Sequence, residues 1–291
     1  MPRLVTNLRE DTMIQIAGVQ MDVSLGRPAE NLDKIEQAVA QAAREGARLV
    51  VFPECAITGY CFESLGEARE FAETLPGPST GRLGRLCREL KLHVVVGLLE
   101  TDGQRLFNAA ALIGPDGLVA SYRKVHLPML GVDMFTTPGD RPFATWQAGA
   151  LRVGMNICYD GSFPEAARVM ALEGADLIVL PTNWPPGSQC TAEFVINARA
   201  LENNVYYMAV NRVGEERGFR FIGKSRICDP SGRVLADAPH DREAVLHAEI
   251  DPERARNKHL VRVPGKHEIN RFADRRPEMY QKIVEPKAGK Y

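Results

Sequence analysis

The sequence has no long apolar run and no apolar leader. No uninterrupted apolar stretch approaches the roughly 18 residues that a membrane-spanning helix needs. The first twelve residues, MPRLVTNLREDT, contain no apolar core of the length that a secretory signal requires. These two absences argue against a membrane partner, and we expect a cytoplasmic location.

An excess of charge of one sign is also missing. The sequence has 36 Lys and Arg residues against 37 Asp and Glu residues, which gives a formal net charge of −1 at pH 7. A chain with so little net charge has no global field that would favour nucleic acid or an anionic membrane surface. We therefore expect no nucleic-acid partner.

The cysteines are too few and too scattered for a disulfide framework or a zinc site. Their spacing contains no CxxC pair and no Cys/His cluster with the spacing of zinc ligands. Most of them should be reduced and buried as small apolar residues, so that at most one or two have a chemical role. The six are Cys55, Cys61, Cys87, Cys158, Cys190 and Cys228.

The order of apolar segments predicts an α/β (α+β) fold with mixed sheets. Almost continuously apolar runs at 47–52, 93–100 and 175–181 are typical of strands that are covered on both faces. Apolar residues at helical spacing indicate helices near 30–45 and 163–174. Other strands follow one another as hairpins, so the sheets should contain both parallel and antiparallel pairs, with helices outside them.

No change in composition separates two large domains. We predict a single domain over residues 13–260, preceded by a flexible extension at 1–12. Residues 261–291 are charged and contain three prolines, Pro264, Pro277 and Pro286. They are predicted to form an extended tail that is either loose or laid along a partner subunit.

Three chemically active residues occupy the ends of predicted strands. Glu54 follows the strand at 47–52, and Lys124 and Cys158 have the same kind of position. In open α/β sheets, sites form outside the carboxyl ends of strands. If the fold brings the three together, a thiol nucleophile, a carboxylate base and a cation for an oxyanion would form an acyl-transfer site.

Each of the three also has a plainer interpretation. Glu54 would be a solvated loop residue, Lys124 a surface charge and Cys158 a core residue. The spacing alone does not decide between these interpretations and a shared site.

Six sequence motifs support the shared site. They occur in the order FPECAITGY, YRKVHLP, VGMNICYDGSFPEAAR, LPTNWP, ARALENNVYYMAVNRVG and FIGKSRICDPSG, and they are spread over most of the chain. Together they resemble the nitrilase, or carbon–nitrogen hydrolase, superfamily. The resemblance implies a four-layer α-β-β-α sandwich of two mixed sheets with helices outside, neither metal nor organic cofactor, and assembly into homodimers or larger homo-oligomers.

The resemblance also implies a role for each active residue. Cys158 would be the nucleophile, Glu54 the general base and Lys124 the cation that stabilises the oxyanion, while Tyr159 would lend its backbone N–H to the oxyanion hole. Members commonly carry a second glutamate in the loop after the lysine, but here that loop reads HLPMLGVDMFTTPGD. Asp133 is the nearest acidic residue in a matching position, and it either supports catalysis or is only a turn residue.

The residues after the nucleophile bear on the reaction. True nitrilases usually show a Cys-Trp-Glu triplet, whereas this chain has Cys158-Tyr159-Asp160. This is more similar to the amidase and carbamoylase branches, so the leading hypothesis is hydrolysis of a small linear amide. The alternatives are an N-carbamoyl substrate, a nitrile, or a non-catalytic scaffold that keeps the fold.

Three further residues are candidates for the substrate pocket. Tyr60 follows Glu54 by six positions, and Asn183 and Trp184 come after the predicted strand at 175–181. Tyr60 could equally be a packed ring, and Trp184 a buried structural anchor. His126, close to Lys124, is expected to make a structural hydrogen bond and not to act as an acid or base.

Overall fold

The computed structural model describes residues 13–285, which divide into two compact units, 13–256 and 257–285. The extension predicted for residues 1–12 lies outside the described residues, as do the last six residues of the predicted tail. Both units contain helices and strands.

The first sheet has six strands in the spatial order β14-β1-β2-β3-β4-β5. Its strands are β1 (Ile14–Gln20), β2 (Leu49–Val51), β3 (His93–Thr101), β4 (Leu106–Gly114), β5 (Gly117–Arg123) and β14 (Ala244–Ile250). The pairs β1/β2 and β2/β3 are parallel, and the remaining pairs are antiparallel. The sheet is therefore mixed, as the sequence pattern predicts.

The second sheet also has six strands, in the order β13-β12-β9-β8-β7-β6. Its strands are β6 (Thr145–Ala148), β7 (Leu151–Met155), β8 (Leu177–Thr182), β9 (Tyr206–Asn211), β12 (Arg226–Cys228) and β13 (Val234–Asp237). Strands β7, β8 and β9 run parallel, and the outer pairs are antiparallel. A small hairpin, β10 (Glu215–Glu216) with β11 (Phe219–Arg220), follows β9.

Helices cover the outer face of each sheet. The helices of the first unit are α1 (Pro28–Arg44), α2 (Leu65–Arg69), α3 (Pro78–Leu90), α4 (Pro164–Leu172), α5 (Ile196–Asn203) and α6 (Pro252–Arg256). The apolar faces of α1 and α3, including Ile35 and Leu83, join the core residues of the first sheet. Helix α4 packs on the second sheet, where Gly154 leaves room for the side chain of Met170.

The inner faces of the two sheets pack against each other. A Cβ built on Gly18 of β1 would lie 3.1 Å from Cγ2 of Val210 on β9, so the first strand of one sheet touches the other sheet directly. With helices on both outer faces, the predicted four-layer α-β-β-α sandwich is confirmed. None of the helices within residues 13–285 combines the length and apolar character that a membrane span requires.

One local prediction was wrong in detail. Strand β7 ends at Met155, whereas the sequence pattern extended it to Cys158. Cys158 has φ of 46°, a left-handed conformation that a strand does not contain, and it opens a 3₁₀ turn over Cys158–Ser162. Helix α5 is preceded without a break by a π-helical turn at Thr191–Val195, so the chain is helical over 189–203.

The second unit is not a simple extended tail. It contains an antiparallel hairpin of β15 (Leu260–Val263) and β16 (His267–Ile269), a 3₁₀ turn at Pro277–Met279 and a short helix, α7 (Gln281–Val284). Charged residues and prolines dominate this segment, which is why the alternating pattern of the hairpin was not recognised in the sequence.

Candidate functional site

Lys124 lies at the centre of a buried charge cluster. It follows β5 directly, and its Nζ lies 2.7 Å from Oε1 of Glu54 and 2.5 Å from Oδ2 of Asp133. All three side chains are fully excluded from solvent. The shorter side chain of Asp133 therefore reaches the lysine directly, because its loop turns back towards the end of β5.

Asn108 joins the two carboxylates of this cluster, and sequence reasoning missed it. Its Nδ2 donates to Oε1 of Glu54 at 2.7 Å and to Oδ1 of Asp133 at 2.8 Å, so each proton of the amide has its own acceptor. The available signal was one polar residue in the otherwise apolar strand LFNAAALIG. A buried amide in such a strand needs partners, and here both partners are charged.

The second carboxylate oxygen of Glu54 has a different environment. Oε1 is held by Lys124 and Asn108, whereas Oε2 is buried and has no hydrogen-bond partner among residues 13–285. Burial raises the pKa of Glu54; the ammonium of Lys124 opposes this rise and the charge of Asp133 adds to it. Glu54 is thus a fixed carboxyl group with one free oxygen and an increased affinity for a proton.

Lys124 keeps its charge in this cluster. Burial alone would lower the pKa of its ammonium, but Glu54 and then Asp133 more than compensate, and the pKa lies well above the ordinary value of 10.5. A permanent cation therefore lies next to Glu54 in a site that excludes water, where charges interact more strongly than in solution.

The thiol of Cys158 lies within electrostatic reach of both Glu54 and Lys124. Burial and the carboxylate of Glu54 raise its pKa to about 12, while Lys124, the hydroxyl of Thr182 and the backbone N–H of Asn183 act in the opposite direction. Cys158 is 7% exposed. At neutral pH it therefore rests as a thiol, and any attack by sulfur requires transfer of its proton.

Asp160 fixes the turn that begins at Cys158. Its Oδ2 accepts hydrogen bonds from the hydroxyl of Tyr122 at 2.7 Å and from the backbone N–H of Ile157 at 3.0 Å. Its Oδ1 lies 2.7 Å from Nδ1 of His126 and accepts from the backbone N–H of the same residue. His126 thus makes the structural hydrogen bond expected of it, and the turn that carries Cys158 is attached to the segment after Lys124.

The predicted pocket residues lie in two places: Tyr60 is in the charge cluster, and Asn183 and Trp184 follow the end of β8. Tyr60 belongs to the charge cluster, because its hydroxyl lies 2.8 Å from Oδ2 of Asp133. Asn183 follows the end of β8 and is fully buried, and neither polar atom of its side chain has a partner among the described residues. Trp184 is also buried, and its backbone N–H donates to Oδ1 of Asn211.

Tyr159, predicted to lend its backbone N–H to the oxyanion hole, follows Cys158 directly. Its side chain is partly exposed and meets the ring of Phe163 edge-on.

Two glycines allow the loops of the site to pack closely. A Cβ on Gly97 of β3 would lie 2.4 Å from the backbone nitrogen of Cys55 and 2.7 Å from Cα of Glu54. A Cβ on Gly131, which has φ of +51°, would lie 2.3 Å from the ring of Tyr60. The loop that carries Glu54 therefore rests directly on a strand, and the Asp133 loop rests directly on Tyr60.

The site offers the groups that acyl transfer needs. A buried thiol lies within electrostatic reach of a carboxyl group with a free oxygen and a permanent cation, both of which are fully excluded from solvent. No group of three or more His, Cys, Asp or Glu side chains within residues 13–285 is placed to hold a metal ion. The carboxyl group, the thiol and the ammonium can perform proton transfer, nucleophilic attack and charge stabilisation, respectively.

Comparisons with known proteins place the chain in a family. The family model described as carbon-nitrogen hydrolase matches residues 15–259. A protein named Nitrilase from Pyrococcus abyssi is 42% identical over 92% of this chain and 99% of its own length, and a citrullinase from Francisella tularensis is 31% identical over 93% and 98%. The structure of a mutant amidase from Nesterenkonia sp. AN1, with the acetamide moiety of fluoroacetamide added covalently to its active-site cysteine, has a TM-score of 0.77 at 25% identity over 93% and 97% of the two chains. The chain belongs to the carbon–nitrogen hydrolase family, the nitrilase superfamily, and is a hydrolase.

Proposed function

We propose that this hydrolase cleaves the C–N bond of a small linear amide through a thioester on Cys158. The observation that carries the proposal is the state of Glu54, whose Oε1 is anchored by Lys124 and Asn108 while its buried Oε2 has no partner in the part of the chain that the structure describes. A buried polar atom without a partner is unusual in a folded protein. Here the free oxygen is available to take the proton of the thiol.

The first half of the reaction forms the thioester. Glu54 accepts the proton of Cys158 as the sulfur attacks the carbonyl carbon, and the carbonyl oxygen becomes an oxyanion. The ammonium of Lys124 and the backbone N–H of Tyr159 stabilise this charge. The intermediate then collapses, the C–N bond breaks, and the leaving nitrogen takes the proton from Glu54 and departs as ammonia or an amine.

The second half returns the enzyme. Glu54 accepts a proton from water as the water oxygen attacks the thioester carbon, and the new oxyanion is stabilised by the same groups. Collapse expels the sulfur, which recovers the proton from Glu54, and the carboxylic acid product leaves. Asp133 supports both halves, because it shares Lys124 and Asn108 with Glu54 and so fixes the position of the cation.

Two other substrate classes compete with simple amides. The relative from Francisella tularensis is named a citrullinase, which supports an N-carbamoyl substrate, and the relative from Pyrococcus abyssi is named a nitrilase. The Tyr159-Asp160 pair after the nucleophile is the reason to place amides before nitriles. A scaffold without activity would make no demand on all three of Glu54, Lys124 and Cys158.

Release of ammonia from a panel of small amides, ureides and nitriles tests the proposal. Ammonia from an amide together with its carboxylic acid would support it. Ammonia accompanied by carbon dioxide, from ureides only, would assign the chain to N-carbamoyl substrates, and acid and ammonia from nitriles only would assign it to nitriles. No ammonia from any member would contradict the proposal.

The rate should depend on pH through Glu54. This residue must be ionised to accept the thiol proton, so kcat/KM rises as the pH rises through its pKa. Because burial raises that pKa, with Lys124 opposing and Asp133 adding to the rise, we expect the acid limb above the ordinary value of 4.5. The pKa of Lys124 lies well above 10.5, so loss of its charge should not reduce the rate below that pH. Steady-state rates from pH 4 to 10 would locate the acid limb and show whether the rate stays constant at high pH. An acid limb at or below 4.5 would contradict the raised pKa of Glu54.

Asn183 is proposed to bind a polar group of the substrate, with Trp184 beside it in the pocket wall and Tyr60 lining the site from the charge cluster. Its amide has a donor and an acceptor without partners among the described residues, so Asn183→Leu should leave the melting temperature unchanged or raise it. The same change should raise KM about 3- to 10-fold for amides that carry a second polar group, because one hydrogen bond is lost. Apolar amides of equal length are the control. Equal KM values for the variant and the wild type on both substrate types would remove Asn183 from the pocket.

Assembly and location remain predictions. We propose a homodimer or a larger homo-oligomer, with residues 261–291 at the interface, and a cytoplasmic location. Light scattering of the full chain and of a chain that ends at residue 260 would test the first of these.

A further inference from the structure

We propose that the buried pair Arg212–Glu216 is a positioning device for the catalytic cluster. It rests on the proposed function, and it concerns residues that lie outside the groups assigned to the chemistry. Arg212 comes immediately after β9 of the second sheet, whereas the loop that it supports, residues 55–61, follows β2 of the first sheet. The pair therefore connects the end of one sheet to the loop of the other.

Glu216 is the element that touches the loop. It is 3% exposed, and its Oε2 accepts hydrogen bonds from the backbone N–H groups of Tyr60 at 3.0 Å and Cys61 at 2.8 Å. Its Oε1 contacts Nη1 of Arg212. Both carboxylate oxygens of Glu216 thus face hydrogen-bond donors only: Oε2 faces the backbone of the loop, and Oε1 faces the guanidinium of Arg212.

Arg212 is held in place independently of Glu216. It is fully buried, and its Nη2 donates to Oδ1 of Asp22 at 2.9 Å and to the carbonyl oxygen of Val23 at 2.7 Å. The guanidinium carbon also lies 4.3 Å from the centre of the Phe221 ring. An arginine with this many fixed partners provides a rigid point from which Glu216 can hold the loop.

The contacts continue from the loop to the reacting groups. Tyr60, whose N–H is bound by Glu216, places its hydroxyl 2.8 Å from Oδ2 of Asp133. The same Oδ2 binds Lys124, and Lys124 binds Glu54. A shift of the loop backbone would therefore move the hydroxyl of Tyr60 away from Asp133. Asp133 would then act more strongly on Glu54, whose pKa it already raises.

This geometry distinguishes between two conservative changes at Glu216. In Glu216→Gln the amide nitrogen must face either Arg212 or the two backbone N–H groups, and in both cases donor meets donor. Glu216→Asp keeps two acceptor oxygens, although they reach less far. We therefore expect Glu216→Gln, which keeps the length of the side chain, to impair catalysis more than Glu216→Asp, which shortens it.

We expect Glu216→Gln to lower kcat about 10- to 100-fold, because small misplacements of catalytic groups have effects of this size. KM on the best amide of the screen should change much less, and the acid limb of kcat/KM should move to higher pH. Glu216→Asp should recover part of kcat and return the acid limb towards its wild-type position.

A double variant separates positioning from stability. Replacing a buried ion pair with apolar residues of similar size is often tolerated, whereas removing one partner leaves a buried charge. Arg212→Met/Glu216→Met removes both charges together but leaves the backbone N–H groups of Tyr60 and Cys61 without their acceptor, so its kcat should stay low even where its melting temperature is close to that of the wild type. A double variant with both wild-type melting and wild-type kcat would overturn the proposal.

Asp176 provides a matched control, because it precedes β8 and therefore lies at the opposite end of the second sheet from Arg212, which follows the parallel strand β9. It is 1% exposed, and it accepts from the guanidinium of Arg256 at 2.8 Å and from the backbone N–H of Arg152 at 2.9 Å. It therefore binds an arginine and a backbone N–H as Glu216 does, but it precedes β8. Asp176→Asn should lower the melting temperature without moving the acid limb. An equal shift of that limb in both variants would show that the effect is general and would overturn the proposal.

Labelling of Cys158 gives a readout that does not depend on the amide screen. Fluoroacetamide would form an S–C bond with loss of fluoride, while the thiol proton goes to Glu54, and intact mass follows the adduct. We expect the wild type to label and Glu216→Gln to label about 10- to 100-fold more slowly. If the wild type labels and the variant labels equally fast, the positioning role is wrong although the proposed function stands. If the wild type neither labels nor hydrolyses any amide, the proposed function fails, and this inference fails with it.

Discussion

Cys158→Ala should lower amide turnover by about 10⁴-fold or more and leave the fold intact. The change removes the one atom that forms the thioester, and loss of a nucleophile has effects of at least this size in other hydrolases. Alanine keeps the Cβ, so the left-handed backbone at this position is no more strained than before. The melting temperature should stay within about 4 °C of the wild type, since 1 kcal/mol corresponds to about 2–4 °C in a chain of this size.

Cys55 is the matched control for this experiment. It is also fully buried, also has a left-handed backbone with φ of 49°, and is the neighbour of Glu54 in the sequence. Burial and then the charge of Glu54 raise the pKa of its thiol well above the ordinary value. Cys55→Ala should keep most of the activity, and intact mass should show the acyl adduct on Cys158 only. Wild-type rates in Cys158→Ala, or an adduct on Cys55, would contradict the mechanism.

Glu54→Gln should lower kcat/KM by about 10²- to 10⁴-fold, the usual contribution of a general acid–base residue. Glutamine is nearly isosteric and retains an oxygen that can accept from Lys124 or Asn108, but it cannot take the proton of Cys158. The acid limb of the pH profile should disappear in the variant, because the group that produces it is gone. Steady-state rates across the pH range, compared with the wild type, would measure both effects.

Asp133 provides the comparison for Glu54, because both carboxylates bind Lys124 and Asn108. Asp133→Asn should lower the rate less than Glu54→Gln, since Asp133 positions the cation and takes no proton. It should also retain an acid limb, which moves to lower pH because one charge that raises the pKa of Glu54 has been removed. An equal loss in both variants, with no acid limb in either, would assign proton transfer to the pair and not to Glu54.

Much of the fold followed from local patterns. Runs such as ARLVVF and ADLIVLP are apolar enough to identify buried strands, and strands joined both by helices and by hairpins require mixed sheets. The stacking of two sheets did not follow from these patterns, because the contact between Gly18 and Val210 joins positions that are far apart in the sequence. The resemblance to a family supplied that step.

The candidate site was predicted unevenly. Their positions at the ends of predicted strands made Glu54, Lys124 and Cys158 candidates, and the family resemblance favoured a shared site over the plainer interpretations. Asn108 escaped notice, since one asparagine within a strand is also compatible with an ordinary structural hydrogen bond. Arg212 and Glu216 escaped for another reason: Glu216 and the loop that it holds are about 155 positions apart, and only the folded chain brings them together.

The division of the site between two sheets has a consequence for the interior of the protein. Glu54 and Lys124 follow strands of the first sheet, and Cys158 follows a strand of the second. The layer of side chains packed between the two sheets therefore sets the distance from Glu54 to Cys158. Gly18 lies in that layer, where even a methyl group would come 3.1 Å from Val210 and 3.4 Å from Met208. In the proposed mechanism, the thickness of the core therefore helps to determine whether Glu54 can reach the thiol of Cys158, although the side chains of the core never contact a substrate.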